Sequence, residues 1–211
     1  MESPRIIGLG GAKGAGKDTA AKLLGERFGF EPIAFADPLR DMLYQLNPIV
    51  HTDLIHGTFL DRWRVRELVD AWGWDHAKQS TPEVRLLLQR LGTEAGRQVL
   101  GDDVWVHALI ERLPDEAKHP WLPRERARRF AVTDVRFPNE QEAIRGFGGE
   151  CWLVMNPEAP INDDHPSEQL AADRAAWDRI VVNDSTLYDL DQRLAAAIQQ
   201  ASGHGDYGYA D

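Results

Sequence analysis

Residues 8–19 read GLGGAKGAGKDT. Gly11, Gly16 and Lys17 fulfil the spacing G-x-x-x-x-G-K of a loop whose backbone N–H groups cradle phosphates while the lysine reaches the outer pair. That relaxed pattern arises by chance in about one chain in twenty of this length, so its setting carries the reading. The loop follows the apolar run RIIGL and precedes a segment of helical spacing, so a helix N-terminus adds its own N–H groups. Asp18 stands where most such loops carry the Ser or Thr that binds Mg²⁺, and the hydroxyl comes one place later, at Thr19. Two readings of Asp18 are open: it gains from the helix dipole in the first turn, or its carboxylate meets Mg²⁺ through water. Lys13 does not make this a two-lysine partition-type ATPase loop, because the signature position holds Ala12. No N-K-x-D guanine signature occurs either.

Further acids and bases recur where apolar runs end. RFAVTD closes on Asp134, the kind of strand-end acid that orients Mg²⁺ or its water, with Arg136 two residues on. FADPLR carries Asp37 and Arg40; Asp37 is read at the end of a strand, where it caps the next helix, faces the cleft, or does both. LLLQRLGTEAGR sets Arg90 and Arg97 seven residues apart, on one side of an unbroken α-helix. A guanidinium pair suits a monophosphate, and a solvated charged face is the alternative. RERARR (124–129) is either an arginine lid or a solvated loop, and His165 lacks a ligand-spaced partner. The seven Trp are expected mainly in packing.

These residues need a scaffold. Strands are expected at 5–9, 32–36, 129–134, 150–155 and 179–184, and helices at 18–28, 137–147 and 186–201. Between the second and third strands lies a mostly helical section, with helices near 38–46, 61–72, 82–98 and 102–112, then a loop over 113–128. A polar segment (156–170) leads into a helix ending near 177, and the tail GHGDYGYAD has no packing pattern and is expected to be mobile. Alternating strands and helices imply a parallel α/β sheet with right-handed crossovers, whose ligands sit beyond the carboxyl ends of the strands.

Composition narrows the partners. With 211 residues and 43% hydrophobic content, the chain supports one substantial core or one core with a small lobe. A net charge of −10 argues against a general nucleic-acid binder, so any anion is held by a local basic pocket. The single cysteine, Cys151, fits a reducing compartment. No run reaches membrane-spanning length and MESPRIIGLG lacks the apolar core of a signal peptide, so a cytoplasmic location is expected. A homodimer is the base-rate expectation for a soluble enzyme.

The stretches GAKGAGKDTAA, FADPLR, LLLQRLGTEAGR, TDVRFPNE, DHPSE and VVNDSTLYDL, taken in order, span nearly the whole chain. Together they resemble the phage-type deoxynucleoside monophosphate kinases of the P-loop nucleoside monophosphate kinase group. The resemblance implies an α/β P-loop NTPase fold: a three-layer sandwich of about five parallel strands (about 1–40 and 129–201), a helical acceptor-binding insert (about 41–128) and a lid (about 156–170, with His165, Ser167 and Glu168). It implies phosphoryl transfer from ATP, with Mg²⁺, to a deoxynucleoside monophosphate, in the host cytoplasm if the chain is phage-encoded. Gly11, Ala12, Lys13, Gly14, Ala15, Gly16, Lys17, Asp18 and Thr19 then hold the ATP phosphates, with adenine near Asn183, Asp184 and Ser185. Asp37, Arg40, Arg90, Glu94, Arg97 and Arg136 face the acceptor. Lys17, Asp134 and Arg136 serve catalysis, and Asp18, Thr19 and Asp134 serve the metal, partly through water. One departure stands out: an arginine is expected just after the fourth strand, where this chain has Met155-Asn156-Pro157. Either RERARR supplies it, or the transferring phosphate is stabilised differently. Dephospho-coenzyme A kinase, with Asp37 as base toward a sugar hydroxyl, is the nearest alternative. A nucleotide-dependent switch ATPase and a non-catalytic binding module follow.

Overall fold

A computed structural model describes residues 4–52, 61–118, 128–159 and 170–202. The chain divides into two compact units, one running to Ala34 and resuming at Ile110, the other Phe35–Leu109. Strands and helices are numbered along the chain.

The first unit is built on five strands: β1 (Ile6–Gly10), β2 (Phe30–Ile33), β5 (Arg129–Val132), β6 (Glu150–Met155) and β7 (Arg179–Val182), all parallel, in the order β2-β5-β1-β6-β7. β1 is buried along its whole length, as expected of a central parallel strand covered on both faces. Ile7 and Leu9 face one side, where they join Trp152, Val154 and Val181 against α1 (Lys17–Phe28) and α9 (Leu187–Ala201). Gly8 faces the other side, beneath Ile144 of α8 (Pro138–Gly146). Helices therefore cover both faces, giving three layers.

The predicted strands and helices of this unit occur with shifted ends. β2 lies two residues earlier than expected, because Gly29 stops α1 in the left-handed conformation and Phe30 is at once buried. The carbonyl of Ile33 accepts from Thr133 N–H, so the neighbouring Pro32 turns its nitrogen to the outer side of this edge strand. Residues 113–128, expected as loop, include the short helix α7 (Asp115–Lys118), which buries Ala117. Within the described residues, the helix expected before β7 gives way after residue 172 to a 3-10 turn, Arg174–Ala176, capped by Asp173.

The second unit contains α2 (Asp37–Leu46), a hairpin of β3 (Ile49–Thr52) and β4 (Asp61–Arg64), then α3 (Val65–Ser80), α4 (Pro82–Gln89), a π-helical stretch Arg90–Arg97, α5 (Gln98–Leu100) and α6 (Val104–Ile110). Its core gathers Leu43, Val50, Val65, Leu68, Ala77 and Val84. Two expectations are corrected here. The helix expected from 61 begins at Val65, because Asp61–Arg64 pair antiparallel with Ile49–Thr52. The helix expected over 82–98 changes type at Arg90, where its hydrogen bonds span five residues instead of four, as in Gln98 N–H to the Thr93 carbonyl. No helix of the described residues is long and apolar enough to cross a membrane.

A candidate nucleotide site at the carboxyl ends of the strands

The loop after β1 takes its shape from small residues at crowded places. A side chain at Gly11 would put its Cβ 2.2 Å from the Val154 carbonyl, so β6 passes too close for any other residue. Gly16 caps α1 with φ 95°, a conformation that glycine adopts without penalty, and no side chain fills the cap. Gly10, the last residue of β1, lies under the Trp177 indole, which would meet an added Cβ at 1.8 Å. Trp177 Nε1 donates to the Leu170 carbonyl at 3.0 Å.

Lys17, the first residue of α1, arches back over the loop. Its Nζ donates to the carbonyls of Gly11 at 2.7 Å and Ala12 at 2.9 Å, and Ala15 N–H donates to the same Ala12 carbonyl at 3.1 Å. Carbonyls turned toward these donors leave the loop free to direct N–H groups at an anion. Lys13, Gly14 and Asp18 are exposed and Thr19 is half-buried in the first turn of α1.

Asp134 comes two residues after β5, half-buried, on a turn stitched to both neighbouring strands. Thr133 N–H donates to the Ile33 carbonyl at 2.9 Å, and Val135 N–H to the Leu9 carbonyl at 3.2 Å. The next two amides, of Arg136 and Phe137, donate to the Glu140 carboxylate. Arg136 itself is exposed. Sequence reasoning missed Glu140, since the cap position is held by Phe137 rather than by the Ser or Thr that signals such an arrangement.

At the end of β7, Asn183 N–H donates to the Met155 carbonyl at 2.7 Å and its side-chain Nδ2 to the Ala15 carbonyl at 3.0 Å. Beyond it, the hydroxyls of Ser185 and Thr186, with the Thr186 N–H, hold Asp189 below the usual carboxylate range at the start of α9. Asp184 pairs with Arg193 at 2.7 Å. Thus the P-loop, Asp134, Arg136 and Asn183 all belong to the first unit, at the ends of β1, β5 and β7.

Asp37, Arg40, Arg90, Glu94 and Arg97 belong to the second unit. Asp37 is neither a strand end nor a cap: β2 stops at Ile33, and Ala36 occupies the cap position of α2 without a side-chain bond. Asp37 accepts from Arg40 Nη1 at 3.1 Å. Arg90 Nε reaches Glu94 at 3.3 Å, and Arg97 Nη1 donates to the Asp102 carbonyl at 2.8 Å. Both arginines lie in the π-helical stretch, so the α-helical spacing argument that put them on one side does not apply. The Gly92 carbonyl accepts from Trp105 Nε1 at 2.8 Å, and Gly96 leaves room for the same indole, which a Cβ would meet at 2.6 Å.

The arginine expected after the fourth strand is replaced by a turn, in which the Asn156 side chain accepts from Glu158 N–H at 2.9 Å. Arg128 and Arg129 of RERARR do not substitute: they stand at the amino end of β5, Arg128 paired with Glu31 and Arg129 donating to the Phe28 carbonyl at 3.4 Å. Residues 124–127, His165, Ser167, Glu168 and the tail from 203 lie outside the described residues.

The family model for deoxynucleotide monophosphate kinases matches residues 74–194. An Acanthamoeba polyphaga mimivirus protein assigned as a deoxynucleotide monophosphate kinase is 30% identical over 211 residues, covering 93% of this chain and 97% of the relative. The deoxynucleoside-5'-monophosphate kinase of Escherichia phage T5 is 26% identical over 226 residues, covering 77% of this chain and 83% of the relative. Among solved structures, a Campylobacter jejuni dephospho-CoA kinase matches with a TM-score of 0.42 at 14% identity, over 94% of this chain and 97% of the other. A Thermus thermophilus protein matches with a TM-score of 0.43 at 21% identity, over 94% and 98%. The chain belongs to the deoxynucleotide monophosphate kinase family.

Proposed function

We propose that the protein transfers the terminal phosphoryl group of ATP to deoxynucleoside monophosphates, producing the diphosphates and ADP. The observation that carries this reading is the loop itself: left-handed Gly16 leads into a helix N-terminus that no side chain caps, and the Lys17 ammonium folds back over the loop onto the Gly11 and Ala12 carbonyls. An oxygen of the acceptor phosphate attacks the terminal phosphorus, and the bond to the bridging oxygen of ADP breaks. The acceptor oxygen is already ionised at neutral pH, so no general base is needed. The protein's share is to hold two anions together and neutralise developing charge.

Gly11 to Thr19 hold the donor phosphates, with Lys17 offering its remaining N–H to a phosphate oxygen. Arg136 adds positive charge next to Asp134. Asp37, Arg40, Arg90, Glu94 and Arg97 hold the acceptor. Among the described residues no group of three or more carboxylate, His or Cys side chains is arranged to hold a metal. The Thr19 hydroxyl, Asp18 and Asp134 are the residues that would hold a Mg²⁺ ion, partly through water. When bound, that ion neutralises phosphate oxygens during transfer. Free nucleotides rather than nucleic acid are the partners, consistent with the net charge of −10, and the enzyme works in the cytoplasm, the host's if phage-encoded.

The test is a coupled ADP-release assay with Mg·ATP, using the four deoxynucleoside monophosphates, the four ribonucleoside monophosphates and dephospho-coenzyme A, with Lys17→Ala as control. Turnover on deoxynucleotides that vanishes in the control is expected. Turnover on dephospho-coenzyme A alone, or ADP release that needs no acceptor, would sink the assignment.

A further inference from the structure

A phosphate cradle points backbone N–H groups inward, so its carbonyls must point elsewhere and find donors. In this loop the carbonyls of Gly11 and Ala12 are taken by Lys17, whose ammonium keeps a third N–H for a phosphate oxygen. The carbonyl of Ala15 is taken by Asn183 Nδ2 at 3.0 Å, across 168 residues of sequence. Asn183 is itself fixed, because its N–H donates at 2.7 Å to the carbonyl that ends β6. The same Nδ2 lies so close to Gly16 that a Cβ there would approach to 2.3 Å. The amide thus presses on the last two residues of the loop, just before Lys17.

We infer that Asn183 is a positioning residue for the donor phosphates, holding the Ala15–Gly16 peptide so that the loop keeps the shape in which its N–H groups and Lys17 meet the ligand. Its Nδ2 is bound to the loop backbone, a contact that does not depend on a nucleobase. The inference rests on the kinase reading above and assigns Asn183 a different task from the adenine contact that family resemblance implies.

Asn183→Ala removes the donor, and Asn183→Asp replaces it with an acceptor that repels the Ala15 carbonyl at nearly unchanged shape. Calorimetric titration of the full chain with Mg·ATP and with inorganic tripolyphosphate separates base from phosphate. Asn183→Ala is expected to weaken both ligands by the same factor, about tenfold for one lost hydrogen bond, and Asn183→Asp to weaken both further, with circular dichroism unchanged. Should Asn183→Ala fail to fold, Asn183→Ser, too short to span the gap, takes its place with the same expectation. Loss confined to ATP would overturn the inference in favour of a base contact. Equal binding by all variants would overturn it by showing that the loop holds its own shape. Failure of the unsubstituted protein to bind either ligand would instead overturn the kinase reading beneath it.

Discussion

Glu140 accepts the backbone N–H of Arg136 at 2.7 Å from a side chain that is only 2% exposed. The same oxygen accepts Phe137 N–H at 3.1 Å, so one buried carboxylate fixes the course of the chain directly after Asp134. Glu140→Ala leaves two amides without this acceptor and is expected to cost roughly 2–4 kcal/mol. Glu140→Gln keeps an accepting oxygen and should lose clearly less. Calorimetric melting of the three proteins decides the matter: equal damage from both substitutions would show that the charge, not the hydrogen bonds, is what counts.

Gly10 and Trp177 make a second pair open to test. Gly10→Ala drives a methyl group into the indole and is expected to destabilise the fold by about 1–3 kcal/mol. Combined with Trp177→Leu, which vacates the ring's place, the penalty of the alanine should shrink. Additive losses in chemical denaturation would mean that the crowding is relieved by backbone movement instead.

Cys151 supplies a pH signature. Burial pushes its thiol up to about 12, above the ordinary value of about 8.5. The folded state then keeps a proton that the unfolded state gives up, so the contribution is full below about pH 8.5 and is lost as pH climbs toward 12. Melting temperature is expected to fall more steeply over that window in the native sequence than in Cys151→Ala. Parallel slopes would contradict it. At neutral pH the native thiol should also resist alkylation until the protein is unfolded.

Trp105 tests the π-helical stretch. Trp105→Phe preserves a ring beside Gly96 but withdraws the donor from the Gly92 carbonyl. Because Arg90, Glu94 and Arg97, which we propose hold the acceptor, lie on that stretch, KM for the deoxynucleoside monophosphate is expected to rise while KM for ATP stays put. A rise in both, in steady-state kinetics, would mean that the substitution disturbs more than the acceptor residues.

The glycine loop was legible because its requirements are local: Gly11 and Gly16 sit where backbone crowding or a positive φ forbids a side chain, and such constraints are written residue by residue. The neighbourhood of Asp134 was legible for a related reason, an apolar run stopping near an acid, although the strand ends two residues earlier, at Val132. The β3–β4 hairpin was not, since DRWR runs straight into the helical VRELV and its partner lies across an eight-residue gap. Nor could spacing tell α from π helix over Arg90–Arg97; the indole that accompanies the change comes from Trp105, beyond the stretch. Asp37 was misplaced because Pro32 was read as the start of a strand, whereas it occupies the third position of an edge strand that ends one residue later. The tie between Asn183 and Ala15 depends on sheet order, which no local pattern contains.

Pro32 has a further consequence. A sheet that ends in a strand with regularly spaced outward N–H groups can recruit another chain's strand and begin to aggregate. In β2 only Phe30 and Pro32 turn outward, and proline has no hydrogen to offer, so an arriving strand finds its ladder broken after one rung. This margin of the sheet is thereby guarded against strand addition by a residue within the strand itself.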